Sequence, residues 1–115
     1  MTNSSADLNR LFRALADTTR RVVLERLSHG PATVSELAKA FDMALPSFLQ
    51  HLDVLEECGL VESEKNGRVR TVRLTSGPLN VAEGWMASLR GLWDRRADQL
   101  DAYLSQFKNT KENEP

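Results

Sequence analysis

The stretch Thr33–Leu74, TVSELAKAFDMALPSFLQHLDVLEECGLVESEKNGRVRTVRL, decides the fold of this chain of 115 residues. It begins with the pattern of a capping box, in which Thr33 and Glu36 each bond the other's backbone amide at the start of a helix. Pro46 suits the first turn of a second helix, which we expect to run to about Cys58, before a glycine. The stretch therefore predicts two short helices joined by a tight turn.

A hairpin is predicted directly after these helices. Strand-forming residues at 60–61 and 69–74 flank Asn66-Gly67, a dipeptide typical of a hairpin turn with positive φ at both central residues. The segment 65–73 has no acidic residue and four basic ones, which are Lys65, Arg68, Arg70 and Arg73. The hairpin is therefore expected to have a basic tip.

Two more helices are predicted before the stretch. The first follows from the three-and-four spacing of four apolar residues, Leu8, Leu11, Phe12 and Leu15. Asp17 suits the N-cap of the next helix, whose inward residues are expected to be Val22, Val23 and Leu27. Gly30-Pro31 should end it, since proline cannot continue a helix.

A long helix is predicted after the hairpin, from Leu79 to about Phe107. Apolar residues recur along one side of it, namely Val81, Trp85, Leu89, Leu92, Trp93, Leu100, Leu104 and Phe107. Such a helix extends about 43 Å at 1.5 Å per residue, which is more apolar edge than a core of this size covers. We interpret the excess as a dimer face, with a ligand cage around Trp85 and Trp93 as the alternative.

Composition limits the possible classes of protein. A chain of this length with 41% hydrophobic and 27% charged residues is expected to fold as one domain, 1–115. No apolar run approaches a membrane span and the N-terminus has no signal-peptide pattern, so a cytoplasmic protein is expected. No set of nucleophile, base and orienting group is found, and no phosphate-binding loop, so an enzyme is not expected.

Charge and cysteine content bear on the partners. The net charge of −1 counts against nucleic-acid binding, but the basic residues are concentrated in the first two helices and the hairpin. The single Cys58 excludes an internal disulfide and a cysteine-rich metal site within one subunit. We interpret it as a small half-buried residue, with a thiol switch as the alternative.

The helix after Pro46 is the candidate reader of DNA. Phe48, Leu52 and Leu55 form its predicted buried stripe, and Ser47, Gln50 and His51 project from the other side. The second helix of a helix-turn-helix enters the major groove, where Gln50 suits the adenine edge and Ser47 and His51 reach bases or phosphates. The hairpin then acts as a wing whose expected contacts with phosphates or the minor groove come from Lys65, Arg68 and Arg70.

The segments LADTTRRVVLERL, QHLDVLEECGLV and GRVRTVRL, in this order and spacing, resemble the ArsR/SmtB (arsenical-resistance repressor) family over roughly Leu11–Leu74. The resemblance implies a mainly α winged helix-turn-helix with a small β-hairpin wing, in the order α-α-α-α-β-β-α. Its expected parts are 7–32 (N-terminal helices), 33–58 (helix-turn-helix), 60–74 (wing) and 78–107 (dimerisation helix).

The same resemblance implies a homodimer that represses its own operon by binding an imperfect inverted repeat. The dimer would be built from the first and last helices, with these interface residues: Leu8, Leu11, Trp85, Leu89, Leu92, Trp93, Leu100 and Leu104.

The chain departs from the family's metal sensors. Their Cys-x-Cys pair falls here on Thr33 and Ser35, and no histidine follows His51. The resemblance is therefore to a subgroup that does not sense metals, so no metal or cofactor is expected and the effector is unknown. Two alternatives stay open: a metal- or thiol-responsive repressor with unrecognised ligands, and a protein-interaction module that uses the last helix.

Two positions of the reading helix also depart from the family. Ala44 stands where members commonly have a capping serine, and Leu49 stands where they have a small or hydroxyl residue. Leu49 either contacts a thymine methyl or extends the packed face.

Two ambiguities concern arginines. Arg20 and Arg21 either bind phosphate or pair with Asp17 or Glu25, and one face of the Arg68–Arg70 strand could instead pair with Glu62 or Glu64.

Overall fold

A computed structural model describes residues Ser4–Glu112, with side chains described for residues 6–107. The elements are, in chain order, α1 (Ser4–Leu15), α2 (Thr18–Leu27), β1 (Ala32–Thr33), α3 (Val34–Ala38), α4 (Leu45–Glu57), β2 (Val61–Asn66), β3 (Val69–Leu74) and α5 (Gly77–Glu112). This order confirms the predicted helices and hairpin and adds the short strand β1.

Two compact units make up the chain, Met1–Ala82 and Glu83–Pro115. The first unit contains every strand of the described residues and the four helices α1 to α4, so it holds the helix-turn-helix and the wing. The expected single domain stays a prediction.

Side-chain caps fix where two helices begin. The Asp17 carboxylate accepts a hydrogen bond of 3.1 Å from the Arg20 amide at the start of α2. At α3, the Glu36 amide donates to the Thr33 hydroxyl at 3.1 Å, and the Thr33 amide donates to the Glu36 carboxylate at 3.2 Å. Both predicted caps are confirmed.

Helix α4 begins without a side-chain cap. Ala44 has the extended backbone of an N-cap residue but no group that can accept a hydrogen bond, and Pro46 lies in the first turn. The helix ends before Gly59, whose φ of 76° suits a residue without a side chain. Its buried stripe is the predicted one, formed by Phe48, Leu52 and Leu55.

The three strands form an antiparallel sheet in the order β1-β3-β2. Strand β1 pairs Thr33 with Thr71, which joins the start of the helix-turn-helix to the wing. The hairpin turn differs from the prediction by one residue. Asn66 is still paired with Val69 at the end of β2, so the central residues are Gly67-Arg68 and not Asn66-Gly67. Gly67, with φ 61°, takes the positive dihedral angle that the turn needs.

The core of the first unit is apolar and lies between the helices and the sheet. Its largest fully buried side chains are Phe48, Leu52, Leu55, Leu60, Val23 and Val72. Val22 was predicted to point inward but is 36% exposed, because it lies about 100° around α2 from the buried Val23 and so leaves the buried face. Leu11 is 2% exposed. It packs in the core of its own chain, which differs from its predicted place in an interface, whereas Leu8 is half-buried.

The second unit consists of the helical residues from Glu83 onward. Its large apolar side chains are exposed, with Trp93 at 72% and Phe107 at 60%. The predicted apolar stripe is thus present on α5, and no other described residue of this unit covers it. No helix of the described residues is long and apolar enough to cross a membrane.

Candidate nucleic-acid interface

The side of α4 away from the core carries the predicted base readers. Ser47 and Gln50 are exposed, and Gln50 lies one turn before the acidic Asp53 on the same surface. Leu49 is half-buried and packs against the core, as in one of the two readings of this residue. The structure therefore presents Ser47 and Gln50 to solvent more fully than Leu49.

His51 is half-buried and contacts the start of α2. Its Nδ1 atom lies 3.1 Å from Nη1 of Arg20 and 3.6 Å from the Asp17 carboxylate. Since an arginine can only donate, the Arg20 contact uses an imidazole whose Nδ1 is unprotonated. A protonated Nδ1 would instead face the Asp17 carboxylate. One ring nitrogen of this predicted DNA contact is therefore occupied within the protein.

Arg20 and Arg21 hold the C-terminal end of α1. Arg20 donates from Nε to the Ala14 carbonyl at 2.7 Å and from Nη2 to the Arg13 carbonyl at 3.0 Å. Arg21 donates to the Leu15 carbonyl at 2.8 Å. The last carbonyls of a helix lack partners within the helix, and these two guanidinium groups supply them. Two roles had been predicted for Arg20 and Arg21, phosphate binding and pairing with an acid. Their bonds to the α1 carbonyls were not predicted.

Arg70 joins the wing to the end of α4. Its Nη2 atom donates to the Glu56 carboxylate at 2.8 Å, and its Nε donates to the Ser63 hydroxyl at 3.1 Å. The Ser63 hydroxyl in turn donates to the same Glu56 oxygen. Arg70 also lies directly opposite Lys65 in the sheet register. The ion pair with Glu56 compensates the charge of Arg70 beside that second cation.

The other basic residues of the wing fall into two groups. Arg73 is 2.7 Å from the Glu62 carboxylate and 3.8 Å from that of Glu64. These acids had been predicted to pair with Arg68 or Arg70, and they pair with Arg73 instead. Lys65 and Arg68 are exposed, and no ion pair joins either one to another residue among those with described side chains. The cationic charge at the wing tip is therefore concentrated on Lys65 and Arg68.

Two carboxylates at this interface have lowered pKa values. Partial burial alone would raise the pKa of Glu56, but the hydrogen bonds from Ser63 and Arg70 and the charge of Arg70 outweigh it. Burial likewise opposes the shift at Asp17, where the hydrogen bond from the Arg20 amide and the charge of Arg20 lower the pKa, as does the charge of His51 when its imidazole is protonated. Both groups are therefore held in the charged form by the contacts that position α2, α4 and the wing.

Cys58 lies at the end of α4 and is half-buried. Its thiol donates weakly to the Leu55 carbonyl at 3.5 Å, and burial raises its pKa. A thiol switch needs a lowered pKa, so the surroundings of Cys58 favour its reading as a packing residue. The described residues contain no group of three or more His, Cys, Asp and Glu placed to hold a metal ion.

A short helix, a turn, an exposed second helix and a hairpin with a basic tip define a winged helix-turn-helix protein. The comparison with protein families agrees, because a helix-turn-helix domain family matches residues 15–64.

Two curated relatives are a transcriptional regulator and a repressor. The HTH-type transcriptional regulator Rv2034 of Mycobacterium tuberculosis is 44% identical over 66 residues, 57% of this chain and 62% of that protein. The transcriptional repressor SdpR of Bacillus subtilis is 29% identical over 79 residues, 69% of this chain and 88% of that protein.

Solved structures give a more complete match. An ArsR family transcriptional regulator, RHA00566, superposes with a TM-score of 0.78 at 53% identity, over 82% of this chain and 97% of that one. The homodimeric winged helix-turn-helix domain Mb0332 of Mycobacterium bovis superposes with a TM-score of 0.59 at 25% identity, over 80% and 94%. The chain belongs to the ArsR family of winged helix-turn-helix transcription regulators. The predicted family is thereby confirmed, and its members are regulators and not enzymes.

Proposed function

We propose that this protein is a homodimeric repressor that binds an inverted-repeat operator in front of its own gene. The observation that carries the proposal is the exposed Ser47 and Gln50 on α4 together with the uncompensated Lys65 and Arg68 at the wing tip. Amide and hydroxyl side chains read base edges in the major groove, and cationic side chains bind phosphates. A protein acting on chromosomal DNA in this way works in the cytoplasm.

The reading helix supplies four contacts in this proposal, from Ser47, Leu49, Gln50 and His51. Gln50 pairs with an adenine edge, and Ser47 reaches a base or phosphate near the N-terminus of α4. Leu49 contacts the DNA with the part of its half-buried side chain that faces solvent. His51 contributes through its Nε2 side and through the bond to Arg20 that holds α4 in place.

The wing supplies Lys65, Arg68 and Arg70. The first two contact phosphates directly or enter the adjacent minor groove. The ion pair of Arg70 with Glu56 supports a positioning role for Arg70, because the pair fixes the angle between the wing and α4. The guanidinium of Arg70 therefore contributes chiefly by positioning Lys65 and Arg68.

The dimer is supported by the apolar residues of α5. Six of the predicted interface residues lie there with 44% to 72% of their area exposed: Trp85, Leu89, Leu92, Trp93, Leu100 and Leu104. Exposed apolar surface of this extent on one helix marks a protein contact. The solved relative Mb0332 is described as a homodimer. The two predicted interface residues of α1 are Leu8, which is half-buried, and Leu11, which is buried in the core of its own unit.

The repressor responds to a non-metal signal or to none. The two positions of the family's Cys-x-Cys pair are Thr33 and Ser35, and the Thr33 hydroxyl is used to cap α3. A second candidate, a protein-interaction module, is favoured by the same exposed α5 residues. Light scattering separates the two, because a stable homodimer occupies this face and a monomer leaves it for another protein.

The test is binding of the full chain to DNA from upstream of its gene, compared with a random duplex, over a series of salt concentrations. Specific binding that weakens as salt rises is expected, since bound phosphates release counterions. Equal affinity for the two duplexes at moderate salt would overturn the proposal. Footprinting of the bound site then measures the spacing of its half-sites.

A further inference from the structure

The first residue of the reading helix is an exposed leucine. Leu45 is 54% exposed, whereas Leu52 and Leu55 of the same helix are fully buried. Ala44 and Pro46 beside it are also exposed and apolar. The N-terminus of α4 therefore presents three consecutive apolar residues, at the end of the helix whose side chains contact bases in a helix-turn-helix.

Helix periodicity places Leu45 at the edge between the core face and the wing side of α4. Leu52, seven residues later, and Glu56, eleven residues later, each lie about 20° from Leu45 around the axis, on opposite sides of it. Leu52 is fully buried, and Glu56 bonds Arg70 of the wing. Since Leu45 is 54% exposed, the core that covers Leu52 does not extend to the first turn of α4.

The composition of α4 restricts which bases it can read. Residues 45–57 include no lysine or arginine, the side chains that make the commonest specific contact with guanine. Gln50 suits adenine, and an apolar side chain in the major groove suits the C5 methyl group of thymine. Leu49 is half-buried against the core, so Leu45 presents more apolar surface to a base than Leu49 does.

We propose that Leu45 is a specificity-determining residue that contacts the C5 methyl group of a thymine in each operator half-site. This inference rests on the proposed function, because it needs α4 to lie in the major groove of a specific site. Together with Gln50, it makes a thymine and an adenine part of the segment that α4 reads.

The test replaces each thymine of the footprinted operator, one at a time, by deoxyuridine, which removes the C5 methyl group and keeps the hydrogen-bonding edge. Fluorescence anisotropy then measures the affinity of the full chain for each duplex. One position in each half-site is expected at which deoxyuridine weakens binding about fourfold, the factor given by burial of one methyl group.

Leu45→Ala links the effect to this residue. On the thymine operator it should lose a comparable factor, and at the responsive position it should bind thymine and deoxyuridine equally. Leu45→Met keeps an apolar side chain and should keep the sensitivity. Val69→Ala is the matched control, because Val69 is 51% exposed but lies on the wing, and its sensitivity should equal that of the wild type.

Two outcomes separate this inference from the proposed function. Specific binding that is unaffected by deoxyuridine at every position, or affected equally in wild type and Leu45→Ala, overturns the role of Leu45 alone. Absence of specific binding overturns the proposed function and this inference with it.

Discussion

Nη1 of Arg20 lies 3.1 Å from Nδ1 of His51, so one guanidinium joins the reading helix to the end of α1. The same side chain bonds the carbonyls of Arg13 and Ala14. Three elements, α1, α2 and α4, therefore meet at Arg20. This contact gives His51 a structural role in addition to its predicted role in reading DNA.

His51→Ala is expected to lower the free energy of unfolding by about 1 kcal/mol, the net value of one hydrogen bond. Arg20→Ala should cost more, because it also removes two bonds to α1 carbonyls. Urea unfolding measures both. If His51 also reads a base, His51→Ala changes the order of preference among operator variants, whereas a purely structural part weakens all of them together. An unchanged unfolding midpoint for His51→Ala would contradict the contact.

Gln50→Ala is expected to weaken binding to the operator by about 1 to 3 kcal/mol, because it removes a paired contact with an adenine edge. Binding to a random duplex should change little. Competition anisotropy gives both affinities. Gln99→Ala, an exposed glutamine on α5, is the matched control. Equal losses on operator and random DNA for Gln50→Ala would remove this residue from the base readers.

Arg68→Ala is expected to weaken operator and random DNA alike and to lower the salt slope of binding by about one unit, since one phosphate contact is lost. Arg73→Ala is the control, because the Arg73 guanidinium is already paired with Glu62 and Glu64. Its salt slope should stay close to that of the wild type. A slope that falls equally in both variants would show that the wing tip is not a distinct contact.

Glu56 should contribute to acid sensitivity. Its folded pKa lies below the usual value of 4.5, so the folded chain binds fewer protons than the unfolded chain at this group. The stabilisation is therefore fully present above pH 4.5 and is lost as the pH falls through the folded pKa. Glu56→Gln should make the stability profile below pH 4.5 shallower in urea titrations, whereas Glu57→Gln, on an exposed neighbour, should retain the wild-type slope.

Ala44→Ser is expected to stabilise the protein by about 1 kcal/mol, because a serine hydroxyl at an N-cap accepts from an amide of the first turn. The backbone at Ala44, φ −64° and ψ 145°, already has the N-cap conformation. Ala40→Ser, at an exposed position outside the helices, is the control and should leave the melting temperature unchanged. If Ala44→Ser is no more stable than Ala40→Ser, the amides in the first turn of α4 gain nothing from a cap.

Local patterns predicted the helices, caps and buried stripes because each depends on residues a few positions apart. Thr33 with Glu36, and Asp17 before α2, are examples whose chemistry is complete within one turn of helix. The strand β1 was not predicted, since two residues carry no periodic pattern. The shift of the hairpin turn to Gly67-Arg68 depends on the register between β2 and β3, which the turn dipeptide alone does not determine.

The contacts of the candidate interface were harder to predict for a related reason. Arg70 meets Glu56 across 14 positions, and Arg20 meets His51 across 31. Both pairings depend on how separate elements pack, and a long guanidinium can reach many acceptors. The sequence therefore identified the basic residues of the wing but not which of them is compensated within the protein.

Thr33 belongs at once to strand β1 and to the N-cap of α3, where it forms the capping box with Glu36. A substitution there disturbs both the sheet and the start of α3, while Gln50 and Arg68 are exposed and can be exchanged without repacking the fold. Under the proposed function, substitutions of Gln50 change the operator preference, and those of Arg68 change the overall affinity, while the fold stays intact. A fold organised in this way allows duplicated copies of one gene to diverge toward different promoters.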